Sequence, residues 1–161
     1  MNKDNRKVVV EELISLISKG NAHASFEDAV AGVSMDLLTV VPDRLPYNIW
    51  QLAEHIRIAQ WDIVEFCLDP NHKSPKWPDE YWPSADSKAD KKKWEATLAG
   101  ISKDRERFFD LLRDERRDLY ETFSYGDGQC IFREALLLAD HTAYHTGEII
   151  VIRRLLNDWK S

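Results

Sequence analysis

The chain has 161 residues, 43% of them apolar, which predicts a single domain over residues 1–161 with its own core. Acidic residues outnumber basic ones by 28 to 22, and the net charge of −6 argues against a nucleic-acid partner. The apolar run at residues 8–10 is too short for a signal peptide or a membrane span. We therefore expect no membrane partner. Two isolated cysteines, Cys67 and Cys130, do not suggest a disulfide framework, so we also expect a cytoplasmic protein in which both thiols are buried.

Apolar residues recur at helical spacing along most of the chain. We predict four long helices and one short helix, at about residues 4–19, 25–31, 49–67, 88–116 and 131–157. Gly20 is a natural stop for the first helix, and Ser25 and Asn48 are suitable N-caps for the next two. No run of alternating apolar residues predicts a β-hairpin. The fold class is therefore all-α, a four-helix bundle with one long crossover connection.

The crossover is predicted at residues 70–87, where prolines rule out a regular helix or a central strand. Its aromatic residues Trp77, Tyr81 and Trp82 could line a substrate pocket. The interpretation we prefer is that they pack over one end of the bundle.

Two histidines on the last predicted helix carry the main functional signal. His141 and His145 are four residues apart, which places both imidazoles on one helix face. His55 lies beside the apolar stripe of an earlier helix, so it too can face the interior. Three imidazoles around an ion with an open position are typical of a catalytic zinc site. His23 and His72 fall in connecting segments and are expected at the surface.

Two acidic residues share the row of His141 on the last helix. Glu148 could orient a ligand imidazole, act as a base or provide a fourth ligand, and a partly exposed carboxylate at a helix end is an equal alternative. Glu134, two turns away, is a weaker candidate.

Two other classes of metal protein can be set aside. Thr142 follows His141, so the His-Glu-x-x-His signature of zinc proteases is absent. No Glu has a His three positions later, which disfavours a di-iron carboxylate bundle.

Residues 45–56 (LPYNIWQLAEHI) and 139–149 (ADHTAYHTGEI) resemble the DinB-like (DinB/YfiT-like) metal-binding proteins, and the resemblance extends over nearly the whole chain. It implies a four-helix bundle that holds a divalent ion, most often zinc or nickel. One ligand comes from the second long helix and an H-x-x-x-H pair from the fourth. The matching positions are His55, His141 and His145.

The resemblance leaves the activity open. Similar proteins include bacterial thiol S-transferases that use bacillithiol or mycothiol, and a maleylpyruvate isomerase that uses mycothiol. We therefore expect a metal-dependent thiol S-transferase or hydrolase acting on a small molecule, with a low-molecular-weight thiol as a further cofactor candidate and a homodimer as the assembly. The alternatives are a non-catalytic, metal-stabilised binding or stress-response bundle, and a metal-free core in which the histidines are hydrogen-bonded.

Overall fold

Helices make up the regular structure of this chain, for which a computed structural model describes residues 3–84 and 86–159. Within these ranges there are five α-helices and no β-strand: α1 Lys3–Lys19, α2 Phe26–Val30, α3 Ile49–Leu68, α4 Lys91–Arg113 and α5 Ile131–Leu155. One turn of 3-10 helix, Asp79–Tyr81, lies between α3 and α4. The all-α class predicted from the sequence is confirmed.

Local hydrogen bonds explain where α1 ends and where α2 and α3 begin. Gly20 follows α1 with a φ of +66°, a conformation that glycine adopts without steric cost. Ser25 and Asp28 form a capping box at the start of α2, in which each side chain accepts a hydrogen bond from the other residue's backbone N–H. Asn48 and Gln51 make the same reciprocal pair at the start of α3. Both predicted N-caps are therefore confirmed.

Helix α4 is three residues shorter at each end than the predicted range 88–116. It begins after Asp90, because the Asp90 carboxylate accepts a hydrogen bond from the backbone N–H of Lys93 at 2.8 Å. At the other end, the Arg6 guanidinium of α1 donates to the carbonyl of Asp114 at 2.8 Å. A side chain from α1 thus donates a hydrogen bond to a carbonyl just past the end of α4. The sequence around residue 114 does not reveal this contact, because its donor is in another helix.

The long helices pack as a bundle in which α1 and α3 each contact α4 and α5, and α2 packs on α5. Their apolar side chains form two core clusters. The first cluster joins α1 to α3, α4 and α5 and includes Leu13, Val64, Phe108, Leu112 and Leu138. The second cluster surrounds α2 and includes Phe26, Ile49, Ile56, Trp94 and Ile149.

On α3 and α5, buried polar residues lie between the residues that belong to the first cluster and those that belong to the second. Along α5 this stretch runs between Ala139 and Ile149 and contains the buried residues Thr142 and His145. Along α3 it contains Asp62. Burying polar groups is costly unless they have partners, so this layer is where a functional site is expected.

The two thiols differ in their environment. Cys67 is buried within the first core cluster, and burial raises the pKa of its thiol. Cys130, at the N-cap position of α5, is only half-buried, so the expectation that both thiols are buried is wrong for this residue. Across the described parts of the chain, every helix is too short or too polar to span a membrane.

Candidate metal centre

Three histidines from two helices converge where this polar layer meets the second core cluster. His55 of α3 and the α5 pair His141 and His145 each present one ring nitrogen, and these three nitrogens lie within 4.8 Å of one another. The ring centroids are 4.5–4.9 Å apart. The structure therefore brings together the three residues that the sequence singled out.

A backbone carbonyl fixes the orientation of His55. Nδ1 of His55 donates a hydrogen bond to the carbonyl oxygen of Tyr81 at 2.8 Å, because a carbonyl can only accept. The neutral ring then carries its proton on Nδ1, and Nε2 faces His141 with a free lone pair. This is the form of imidazole that binds a metal ion.

A carboxylate fixes the orientation of His145 in the same way. Nδ1 of His145 donates to Oε2 of Glu148 at 2.7 Å, which leaves Nε2 for the cluster. The other oxygen of Glu148 accepts a hydrogen bond from the Tyr47 hydroxyl at 3.2 Å. With both oxygens engaged, Glu148 is placed as the outer partner of a ligand histidine, an arrangement common to metal-binding imidazoles.

The crossover connection covers His55 on one side. The Trp82 ring lies flat on the His55 ring, with centroids 3.8 Å apart and planes 5° apart. Tyr47 stacks on the Trp82 ring at 5.1 Å. Trp77 lies further out, 6.4 Å from His55, and is 70% exposed. Trp82 also packs against the second core cluster, as the preferred prediction for this loop requires, and it forms a wall of the histidine site as well.

Burial keeps the three imidazoles neutral. Desolvation is the largest cause of the lowered pKa of His141, to about 3, and nearby His145 and His55 lower it further. Desolvation and then His55 lower the pKa of His145 to about 4. Burial also lowers the pKa of His55, against the opposing effects of the Tyr81 carbonyl and Glu148. At neutral pH all three rings have a lone pair available for a cation.

The separation of the ring nitrogens is compatible with a shared ion. Nε2 of His55 and Nε2 of His141 are 3.0 Å apart. Two imidazole nitrogens at roughly 2.0–2.1 Å from one tetrahedral ion lie about 3.3 Å apart. Without an ion, Nε2–H of His141 would donate to the free Nε2 of His55 at the same distance. The metal-free alternative therefore predicts a specific tautomer of His141, with its proton on Nε2.

The other sequence candidates lie outside the cluster. Glu134 is buried in α5, and burial is the main cause of its raised pKa, but it is not one of the three clustered residues. His23 is exposed, as expected. His72 is not a surface residue: its side chain is 10% exposed and its Nε2 lies 2.7 Å from Oδ1 of Asp62. Residue spacing does not predict the contacts of Asp62 with His72 and Tyr81, because these contacts join a helix to an irregular loop.

Comparison with protein families agrees with this geometry. A family model for the DinB superfamily matches residues 21–149, most of the chain. The chain belongs to the DinB superfamily. The matched range contains His55, His141 and His145, and the DinB-like resemblance of the sequence is thereby confirmed. None of the curated proteins and none of the solved structures matches the chain.

Proposed function

We propose that this DinB-superfamily protein binds one divalent metal ion, zinc or nickel, through His55, His141 and His145. The observation that carries the proposal is the convergence of three neutral imidazoles with ligand nitrogens within 4.8 Å of one another. Imidazole nitrogen suits both metals. The donor set also fits a site that keeps one position open, since three protein ligands are usual for catalytic zinc.

The surroundings of the histidines support the same proposal. The Tyr81 carbonyl and the Glu148 carboxylate accept the outer N–H of His55 and of His145, so the inner nitrogens of these two rings are unprotonated before any ion arrives. We assign Glu148 the role of orienting His145 rather than that of a base or a fourth ligand, because both of its oxygens already accept hydrogen bonds.

We further propose that the protein is a metal-dependent thiol S-transferase or hydrolase acting on a small molecule. An ion held by three imidazoles would lower the pKa of a thiol or water at its open position. In transfer, the thiol sulfur forms a bond to an electrophilic carbon, the leaving group departs with the electrons of its broken bond, and the thiol proton passes to solvent. In hydrolysis, a water oxygen takes the place of the sulfur.

Access to the cluster favours a small substrate arriving beside His141. His55 and His145 are 1% and 7% exposed, whereas His141 is partly exposed. Two exposed aromatic residues, Trp77 and Tyr144, are close to the histidines: Tyr144 lies 4.9 Å from the His145 ring and is 64% exposed. Such rings give an apolar surface against which a small molecule can dock. The thiol cofactor and the homodimer stay predictions from the family.

A second candidate function is a non-catalytic bundle clamped by its metal. It is favoured by the near-complete burial of two of the three histidines and by the Trp82 ring lying flat on His55. In that case the ion joins α3 to α5 and stabilises the fold without binding a substrate.

Activity assays with loaded and metal-free protein separate the two candidates. Protein purified without an affinity tag is stripped, reloaded with Zn²⁺ or Ni²⁺, and mixed with bacillithiol and monobromobimane; hydrolysis is assayed with p-nitrophenyl acetate. The enzyme proposal predicts a rate above the uncatalysed reaction that tracks metal content and is lost in His141→Ala. Equal rates with loaded and stripped protein contradict metal-dependent catalysis. If the metal stabilises the protein but neither reaction is faster than the uncatalysed one, the non-catalytic bundle is supported.

A further inference from the structure

Asp62 of α3 has both carboxylate oxygens bound by the crossover connection. Oδ2 accepts a hydrogen bond from the Tyr81 hydroxyl at 2.5 Å, and Oδ1 accepts one from Nε2 of His72 at 2.7 Å. The Asp62 side chain is 13% exposed, and that of His72 is 10% exposed. A helix residue thus fastens two points of the crossover connection.

The same segment supplies the outer partner of His55. Tyr81 contacts Asp62 through its hydroxyl and His55 through its backbone carbonyl, at 2.5 Å and 2.8 Å. The next residue, Trp82, lies on the His55 ring. One tyrosine therefore connects Asp62 to the proposed ligand.

The helix geometry makes this connection stiff. Asp62 follows His55 by seven residues, which is about two turns and roughly 10 Å along the same face of α3. The helix fixes the positions of Asp62 and His55 relative to each other. When the Tyr81 hydroxyl is bound to Asp62, the Tyr81 carbonyl is therefore held at a fixed position beside His55. A loop that was not fastened would lose this placement through its conformational freedom.

We propose that Asp62 is a positioning residue for the metal site. Through Tyr81 and His72 it anchors the crossover connection, and the anchored Tyr81 carbonyl keeps the proton of His55 on Nδ1 and its Nε2 directed at His141. Asp62 is not itself a ligand, since both oxygens are taken and it is absent from the histidine cluster. The inference rests on the proposed metal-binding function.

The test compares Asp62→Asn and Tyr81→Phe with a matched control, Tyr125→Phe. Tyr125 also donates its hydroxyl to α3, to the backbone carbonyl of Phe66 at 3.0 Å, one turn beyond Asp62 and further from His55 along the helix. Zn²⁺ affinity of each full-length protein is measured by competition with a chromophoric chelator. Loss of an outer partner of a ligand typically weakens metal binding about 10- to 100-fold. We expect a loss of about tenfold or more in both site variants and none in the control.

Two further readouts separate positioning from general destabilisation. The visible spectrum of Co²⁺-loaded protein reports ligand geometry and should change in Asp62→Asn and Tyr81→Phe only. In metal-free protein, nitrogen-15 NMR of the imidazoles should show His55 protonated at Nδ1 in the wild type and as mixed tautomers in the two variants. Tyr81→Phe removes only a hydroxyl, so it provides the test if Asp62→Asn fails to fold.

The outcomes keep the two proposals apart. If wild-type protein binds no Zn²⁺, Ni²⁺ or Co²⁺, the metal-binding proposal is wrong, and the NMR experiment still decides whether Asp62 positions His55. If the wild type binds metal and both site variants match its affinity, spectrum and tautomer, the positioning role of Asp62 is wrong.

Discussion

Replacing Glu148 tests how strongly the surroundings of the histidines determine metal affinity. Glu148 accepts a hydrogen bond from Nδ1 of His145 at 2.7 Å, and its side chain is 25% exposed. Glu148→Gln removes the negative charge but keeps an amide oxygen that can accept from the same N–H. Glu148→Ala removes both. Comparing the two variants therefore separates the effect of the Glu148 charge on metal affinity from the effect of orienting the His145 ring.

The contact sets the expected magnitude. A hydrogen bond to a charged group contributes about 1.5–3 kcal/mol. Because the carboxylate is partly exposed, solvent screening places it in the lower half of that range. We expect a metal dissociation constant about tenfold higher in Glu148→Gln, equivalent to about 1.4 kcal/mol. In Glu148→Ala the increase should approach about 100-fold, the upper end for loss of such a partner.

The assay is competition for Zn²⁺ between each protein and a chromophoric chelator at pH 7. Tyr47→Phe is the matched control, because it removes a hydroxyl bound to the same carboxylate and leaves the His145 contact and the Trp82 stack in place. Its affinity should stay close to that of the wild type. If Glu148→Ala binds Zn²⁺ as tightly as wild type, Glu148 is only a partly exposed helix-end carboxylate.

The buried histidines, the α3 cap and the Trp82 ring can each be tested in the same way. Metal-free protein should lose stability as pH falls from about 6.5 toward 4, because histidine in the unfolded chain protonates near 6.5 while the folded pKa values of His141 and His145 are about 3 and 4. Urea unfolding should show the free energy of unfolding falling by about 1.4 kcal/mol per pH unit for each proton taken up. A free energy that does not change with pH would contradict buried neutral rings. Asn48→Ala should lower the unfolding free energy by about 1–2 kcal/mol by removing the α3 cap, and an unchanged urea midpoint would argue against this role. Trp82→Ala should speed metal transfer to a chelator by uncovering His55, whereas an unchanged rate would mean that the ring does not shield the site.

The fold and the three histidines could be read from the sequence because both depend on local spacing. A residue four positions on returns to the same helix face, so His141 and His145 had to be neighbours. His55 could be added because it borders an apolar stripe that must face the core. The caps Ser25 and Asn48 likewise act within three residues of their own position.

The surroundings of the site could not be predicted in this way. Tyr47 and Glu148 are 101 residues apart, and the contact of His72 with Asp62 joins an irregular loop to a helix. No periodic pattern governs such a loop, so its composition alone indicates where its side chains lie. For this reason the sequence places His72 at the surface, whereas its side chain is 10% exposed.

The central claim is that His55, His141 and His145 hold one metal ion, and X-ray absorption at the zinc edge tests it most directly. Untagged protein loaded with one equivalent of Zn²⁺ should show three imidazole nitrogens at about 2.0–2.1 Å. The same spectrum from His141→Ala should lose one imidazole or show unbound zinc. A wild-type spectrum of unbound, hydrated zinc, or one with sulfur from Cys67 or Cys130 among the ligands, would contradict the claim.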